Sequence, residues 1–151
     1  MTGPKETVPT GIRVMRILPA PPERVFAAWT DPNSFIQWFV PGTAKATTVE
    51  IDARPGGRLR IVARNEEEGD FEISGVYREV SPPTRLVFTW ISRHTRDAES
   101  LVTVELRAVG AQTELTITHE RLPDADAVGR HQRGWETIAA AFAEVLSKAA
   151  G

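Results

Sequence analysis

Between Leu122 and Ala149 the apolar residues recur with the spacing of a single helical face. His131, Trp135, Ile138, Phe142 and Val145 fall at i, i+4, i+7, i+11 and i+14, and Ala139, Leu146 and Ala149 widen the stripe. Glu136, Glu144 and Lys148 lie away from it and give the helix a wet side. The pattern predicts a helix from about Ala125 to Ser147, roughly 34 Å long at ~1.5 Å per residue. Pro123 interrupts any preceding strand ladder, and Asp124 or Asp126 is placed to cap the first N–H groups. Burying Trp135, Ile138, Phe142 and Val145 contributes on the order of 1.5–3 kcal/mol each. The rest of the chain must therefore offer a matching apolar surface.

Upstream, the period changes from helical to alternating. Ile12 to Leu18 reads as a first strand, ended by Pro19-Ala-Pro-Pro22. Pro22 suits the first turn of a helix that carries Val25, Phe26 and Trp29 on one side and stops near Thr30. Asp31 and Pro32 read as cap and first turn of a second short helix, Asn33 to Trp38, broken by Pro41-Gly42. Strands are then predicted at Lys45 to Asp52, Arg58 to Arg64, Phe71 to Val80, Leu86 to Ser92, Leu101 to Val109 and Thr113 to Arg121. The second of these places basic residues outward and Leu59, Ile61 and Ala63 inward. The connections are of hairpin length, and Asn65 to Asp70 reads as a solvated, acidic tip.

One strand, two short helices, six strands in meander and a long helix define an α+β fold. A seven-stranded antiparallel sheet with one apolar face twists, and it curls around the helix that covers it. The expected architecture is a helix-grip, a curved seven-stranded antiparallel sheet wrapped around a long C-terminal helix, with two short helices after the first strand. Its expected organisation is a polar, disordered lead over residues 1–10 and one domain over 11–151.

Composition narrows the function classes. The chain has 151 residues, 41% hydrophobic and 25% charged, with a formal net charge of −2. That balance provides no electrostatic footprint for nucleic acid or an anionic membrane. No cysteine is present, which removes disulfides, thiol catalysis and cysteine-ligated metals. No apolar run reaches the ~18–20 residues of a membrane helix, and Met1 to Thr10 lack the apolar centre of a secretion signal. The expected location is cytoplasmic.

Several segments carry a family likeness. Arg16 to Pro32, Gln37-Trp-Phe-Val-Pro41, Pro55-Gly-Gly57, Gly75 to Pro83, Leu86-Val-Phe-Thr-Trp90, Thr113 to His119 and His131-Gln-Arg-Gly-Trp135 occur in one order. Together they resemble the activator-of-heat-shock-protein-90-ATPase homologues, within the START-like, polyketide-cyclase-like (SRPBCC) superfamily. The likeness runs from about Ile12 to Leu146 and implies the helix-grip fold. One departure is Phe39, where relatives often carry a second tryptophan after the one matching Trp38. The resemblance implies a range of activities: lipid and hormone carriers, aromatic cyclases and other enzymes, and a chaperone-binding module.

The residues able to carry chemistry are few. His131 lies on the buried helical face, either as an acid–base or ligand-orienting group or as a histidine hydrogen-bonded to a carbonyl near the helix start. His119 stands in register with Leu115 and Ile117, so alternation points it inward, where it must be hydrogen-bonded. Glu120 is its neighbour in sequence. These three, His131, His119 and Glu120, are the catalytic candidates, and no nucleophile, base and orienting group assemble from them. His94 sits in a polar loop and reads as solvated. The three histidines lack metal-site spacing, so neither a metal nor a cofactor is expected. Gly134 costs ~1 kcal/mol against alanine in mid-helix, which points to a close approach by another element.

The aromatic inventory directs the functional expectation. Phe26, Trp38, Phe39, Ile61, Phe71, Tyr77, Phe88, Trp90, His119, His131, Trp135, Ile138 and Phe142 are the candidate ligand-binding residues. Phe88, Trp90, Trp135 and Phe142 should face one another, with Trp38 and Phe39 at the mouth of a pocket. The expected function is binding of a small apolar or aromatic molecule between sheet and helix. The alternatives are a cyclase- or hydrolase-like enzyme using a cavity histidine, and a stress-response module that stimulates a chaperone ATPase. A homodimer is a possible assembly.

Overall fold

A computed structural model describes residues 10–40 and 44–150. Of the expected lead over residues 1–10, residues 1–9 lie outside the described residues, as does the Pro41-Gly42 break, and the Thr10 carbonyl accepts the Leu122 N–H at 2.9 Å. The elements are β1 (Ile12–Leu18), α1 (Pro22–Thr30), α2 (Pro32–Trp38), β2 (Lys45–Ile51), β3 (Arg58–Arg64), β4 (Phe71–Ser81), β5 (Arg85–Trp90), β6 (Ser100–Val109), β7 (Gln112–Glu120) and α3 (Ala125–Ala150). A 3-10 turn, Arg93–Thr95, lies in the loop after β5, where no element was expected. Its Ser92 and Thr95 side chains cap it reciprocally.

All seven strands join one curled antiparallel sheet in the order β1-β7-β6-β5-β4-β3-β2, a helix-grip fold. Burial follows the period-2 pattern on the strands that face α3. In β3 Leu59, Ile61 and Ala63 are buried, and in β7 Thr113, Leu115, Ile117 and His119 are. β5 is buried along nearly its whole length, as its unbroken apolar run requires.

Curling has a local cause in β4. Gly75 pairs with Leu59 of β3, and a Cβ there would stand 2.0 Å from the Thr89 carbonyl oxygen of β5. The missing side chain lets the two backbones close, and the Thr89 hydroxyl accepts the Val76 N–H at 2.8 Å. The β4–β5 register then shifts between Tyr77 and Glu79. A kink of this kind bends a sheet.

The helices start where the caps were expected. The Asp31 carboxylate accepts from Asn33 N–H at 3.0 Å, and Pro32 occupies the first turn of α2. At α3 the choice between two aspartates falls on Asp124, whose Oδ1 accepts from Ala127 N–H at 2.9 Å. α3 packs against β1, α2 and the 3-10 turn. Its buried face comprises Ala127, His131, Trp135, Ile138, Ala139, Phe142 and Leu146, with Val145 half-buried.

Two short helices plug one end of the grip. Trp29 is the hub, with ring centroids 4.8 Å from Trp38, 5.9 Å from Phe35, 6.2 Å from Trp135 and 6.3 Å from Phe142. Trp38 stacks on Phe142 at 4.1 Å and is fully buried, so it lies in the core rather than at a pocket mouth. The indole N–H groups of Trp29 and Trp38 find no acceptor among the described residues. Trp29 and Trp38 meet edge-on, 64° apart, an arrangement that aromatic quadrupoles favour.

Candidate functional site

The sheet curls away from α3 on the side of β4 and β5, leaving a cavity of about 280 Å³. Phe39, Phe71, Ile73, Trp90, Trp135 and Ile138 form its apolar wall. Asn65, Glu68, Ser92, His94, Arg130, His131 and Arg133 form its polar side, and Ala44 and Gly134 complete the lining. Strand alternation delivers Ile73 and Trp90, while α3 delivers His131, Trp135 and Ile138 along one face.

Of the residues singled out in the sequence, Phe39, Phe71, Trp90, His131, Trp135 and Ile138 come together on this cavity. Phe26, Trp38, Ile61, Tyr77, Phe88 and Phe142 pack in the core instead. The Trp90–Trp135 contact at 5.2 Å joins sheet to helix as expected, and Phe88 approaches Trp90 at 6.1 Å. Phe142 pairs with Trp38 and Trp29 on the far side of that group.

His119 is fully buried behind the cavity wall and held at both nitrogens. The Trp135 indole N–H donates to Nδ1 at 3.0 Å. Nδ1 is therefore the acceptor, the ring proton sits on Nε2, and Nε2–H donates to Ser100 Oγ at 2.7 Å. The Ser100 hydroxyl donates in turn to the Trp90 carbonyl at 2.6 Å. Burial, with His131 nearby, holds the His119 imidazole well below its ordinary pKa, so it stays neutral. This chain fixes the orientation of Trp135, a wall residue. Glu120 follows on the opposite face of β7, exposed to solvent, and joins neither histidine.

His131 lies one turn before Trp135 and is 8% exposed. Its Nδ1–H donates to the Ala127 carbonyl at 2.7 Å, within α3 itself. Burial lowers its pKa, and the carbonyl contact only partly offsets this.

His94 was expected in solvent, but its side chain is only 15% exposed. It packs edge-on to Phe71 at 4.5 Å, and its Nε2 stands 3.6 Å from Glu68 Oε1. Burial, then the positive charge of Arg130 and Arg93, pushes its pKa down to about 4. The acidic tip is likewise tied down at one end. Arg130 grips Glu68 through two bonds of 3.0 and 3.1 Å, and Arg93 donates to the carbonyls of Glu68, Gly69 and Asp70. The Arg93 guanidinium also lies 5.1 Å from the Phe71 ring centroid.

Apart from His131, the polar side of the lining was not among the candidates read from the sequence. Arg130, Arg133 and Gly134 flank His131 on the same helix, so helical periodicity could have placed them near it. Asn65, Glu68, Ser92 and His94 come from two loops with no periodic signal. Among the described residues no group of three or more His, Asp or Glu side chains is gathered to hold a metal. No helix there is long and apolar enough to cross a membrane.

This geometry is that of a helix-grip protein with a lined space between its sheet and its C-terminal helix. Residues 19–147 match the model of the family described as activator of Hsp90 ATPase homolog 1-like protein, and the chain belongs to that family. None of the curated proteins matches it. Among solved structures it is similar to protein CV1439 from Chromobacterium violaceum, with 29% identity, a TM-score of 0.82, and 92% of this chain and 98% of that one covered. The AHSA1 protein of Silicibacter pomeroyi is 28% identical with a TM-score of 0.79, covering 91% of this chain and 97% of that one. DynU16, a protein of the dynemicin biosynthetic locus, shares the fold at 24% identity and a TM-score of 0.74. There 91% of this chain covers 47% of the other.

Proposed function

We propose that the chain binds a small, flat, largely apolar molecule in the cavity between β4–β5 and α3. The observation that carries this reading is the lining itself. Four aromatic rings, Phe39, Phe71, Trp90 and Trp135, bound a space of about 280 Å³ whose remaining wall is polar on one side. That volume lies at the lower edge of the ~300–1,000 Å³ typical of small-molecule sites, which favours a ligand of one or two rings. Residual polar groups on such walls orient a ligand, and apolar area supplies its affinity.

Thermal shift with a panel of one- and two-ring aromatic compounds tests the reading. A ligand at 100 times its Kd stabilises by ~2.7 kcal/mol, or about 5–10 °C for a domain of this size. Native mass spectrometry of the purified chain provides a second arm, through an added mass. No rise with any compound, together with no added mass, removes the reading. The cyclase-like alternative rests on His131 alone, since His119 and Ser100 are sealed in the core and Glu120 faces solvent. The family description names a chaperone ATPase activity. Purified Hsp90 assayed with this chain tests that reading, and unchanged turnover leaves the cavity reading on its own.

A further inference from the structure

His131 presents the cavity with a ring nitrogen whose accepting capacity is unspent. His131 uses Nδ1 as a donor to the Ala127 carbonyl, which fixes the proton on that nitrogen. Nε2 then carries the lone pair, because burial disfavours a second proton on this ring. No described residue bonds Nε2. Among the described residues, the fully enclosed polar side-chain atoms without a partner are the Trp29 and Trp38 indole nitrogens, and Nε2 is not among them. It therefore keeps accessible surface. His131 is 8% exposed and lines the cavity, so that surface opens on the cavity.

The other polar groups of the lining are differently placed. Arg130 is paired with Glu68 through two bonds, which balance its charge, and Arg133 lies in solvent at the rim. Ser92 Oγ already accepts the His94 N–H. The His119 ring, edge-on to His131 at 4.8 Å, has both nitrogens occupied by Trp135 and Ser100.

We infer that His131 Nε2 is the acceptor for a hydrogen-bond donor on the ligand, which is a small aromatic carrying a neutral O–H or N–H rather than an anionic group. The inference rests on the cavity reading and adds the chemical class. A ligand that covers Nε2 without a donor leaves a buried acceptor unpaired, and an anion brings a second acceptor against it. The aromatic wall accepts the ring, while the His131 lone pair selects its polar substituent and orientation.

Isothermal titration at neutral pH with 2-naphthol, 2-methoxynaphthalene and 2-naphthoate tests it. These share a ring system and differ in offering a donor, no donor or an anion. The expected result is 2-naphthol binding about tenfold tighter than 2-methoxynaphthalene, with 2-naphthoate weakest. His131→Phe should bring naphthol and the methyl ether to similar affinity while both still bind, and His131→Gln, which keeps an acceptor, should restore part of the preference. Equal affinities in the wild type, or a preference that survives His131→Phe, overturns the inference and leaves the cavity reading standing. Tightest binding by 2-naphthoate also overturns it and moves recognition to Arg133. No binding by any of the three overturns this inference, and the cavity reading falls with it when the aromatic panel and native mass spectrometry are also negative.

Discussion

At the residue scale, buried histidines define the polar chemistry of the fold. The chain Trp135–His119–Ser100–Trp90 leaves no donor or acceptor of His119 unpaired. Ser100→Ala strands the Nε2–H inside the core, and we expect a loss of about 1–3 kcal/mol in urea unfolding. Alternation along β7 was enough to turn His119 inward. It could not name the partners, because Ser100 and Trp135 lie 19 and 16 residues away in sequence. His94 shows the reverse case. Nothing in the local pattern around it signals burial, since its cover comes from Phe71 and Glu68 of a different hairpin. Its folded pKa of about 4 against an ordinary 6.5 has a consequence for stability. On acidification the unfolded chain binds a proton at His94 first, so stability present above about pH 6.5 declines as pH falls towards 4. His119 and His131 are lowered too and act in the same direction. His94 faces Glu68, Arg93, Arg130 and His131. His94→Gln should flatten part of the urea-midpoint decline between neutrality and about pH 5; an unchanged slope would place the loss elsewhere.

At the element scale, periodicity was a good guide wherever an element has one wet and one dry face. β3 spans the residues its alternation indicated, and α3 begins at Ala125 as its cap and stripe required. The 3-10 turn had no such signal, being three residues held by side-chain caps. The role of Gly75 was also hidden, because its constraint comes from the backbone of β5 rather than from its own strand. Gly75→Ala must push the Thr89 carbonyl aside from 2.0 Å. We expect a clear fall in melting temperature, on the scale of overpacked core substitutions, about 1–3 kcal/mol or more. On α3, Phe142→Ala removes the ring stacked 4.1 Å from Trp38 and beside Trp29. A cost of about 3–5 kcal/mol is expected, read by denaturant midpoint. Because Phe142 lies off the cavity, variants that still fold should keep their ligand preference, which separates the helix as support from the helix as wall.

At the scale of the whole molecule, the cavity rim is assembled from three segments distant in sequence. The β3–β4 loop, the 3-10 turn and the start of α3 meet through Arg93 on three carbonyls, the Arg130–Glu68 pair and the Arg96–Asp124 pair. The sequence presented the first of these as a run of acidic residues, which reads as a solvated tip because charge alone says nothing of a distant arginine. Exposed ion pairs of this type add little to global stability. Their effect is local, on how the loop is held over Phe71 and His94. Within the loop, Asn65 Oδ1 accepts from the Glu67 and Glu68 amides, and the Asn65 carbonyl accepts from the Gly69 amide. Those three amides report on the rim. Arg93→Ala frees the carbonyls of Glu68, Gly69 and Asp70 and removes the cation beside Phe71. Hydrogen exchange should then quicken at Glu67, Glu68 and Gly69 while the melting temperature stays within about 2 °C of wild type. Exchange unchanged by Arg93→Ala would mean that Asn65 and the Arg130–Glu68 pair hold the turn without it. Faster exchange accompanied by quicker ligand release would make the rim, rather than the aromatic wall, the determinant of residence time.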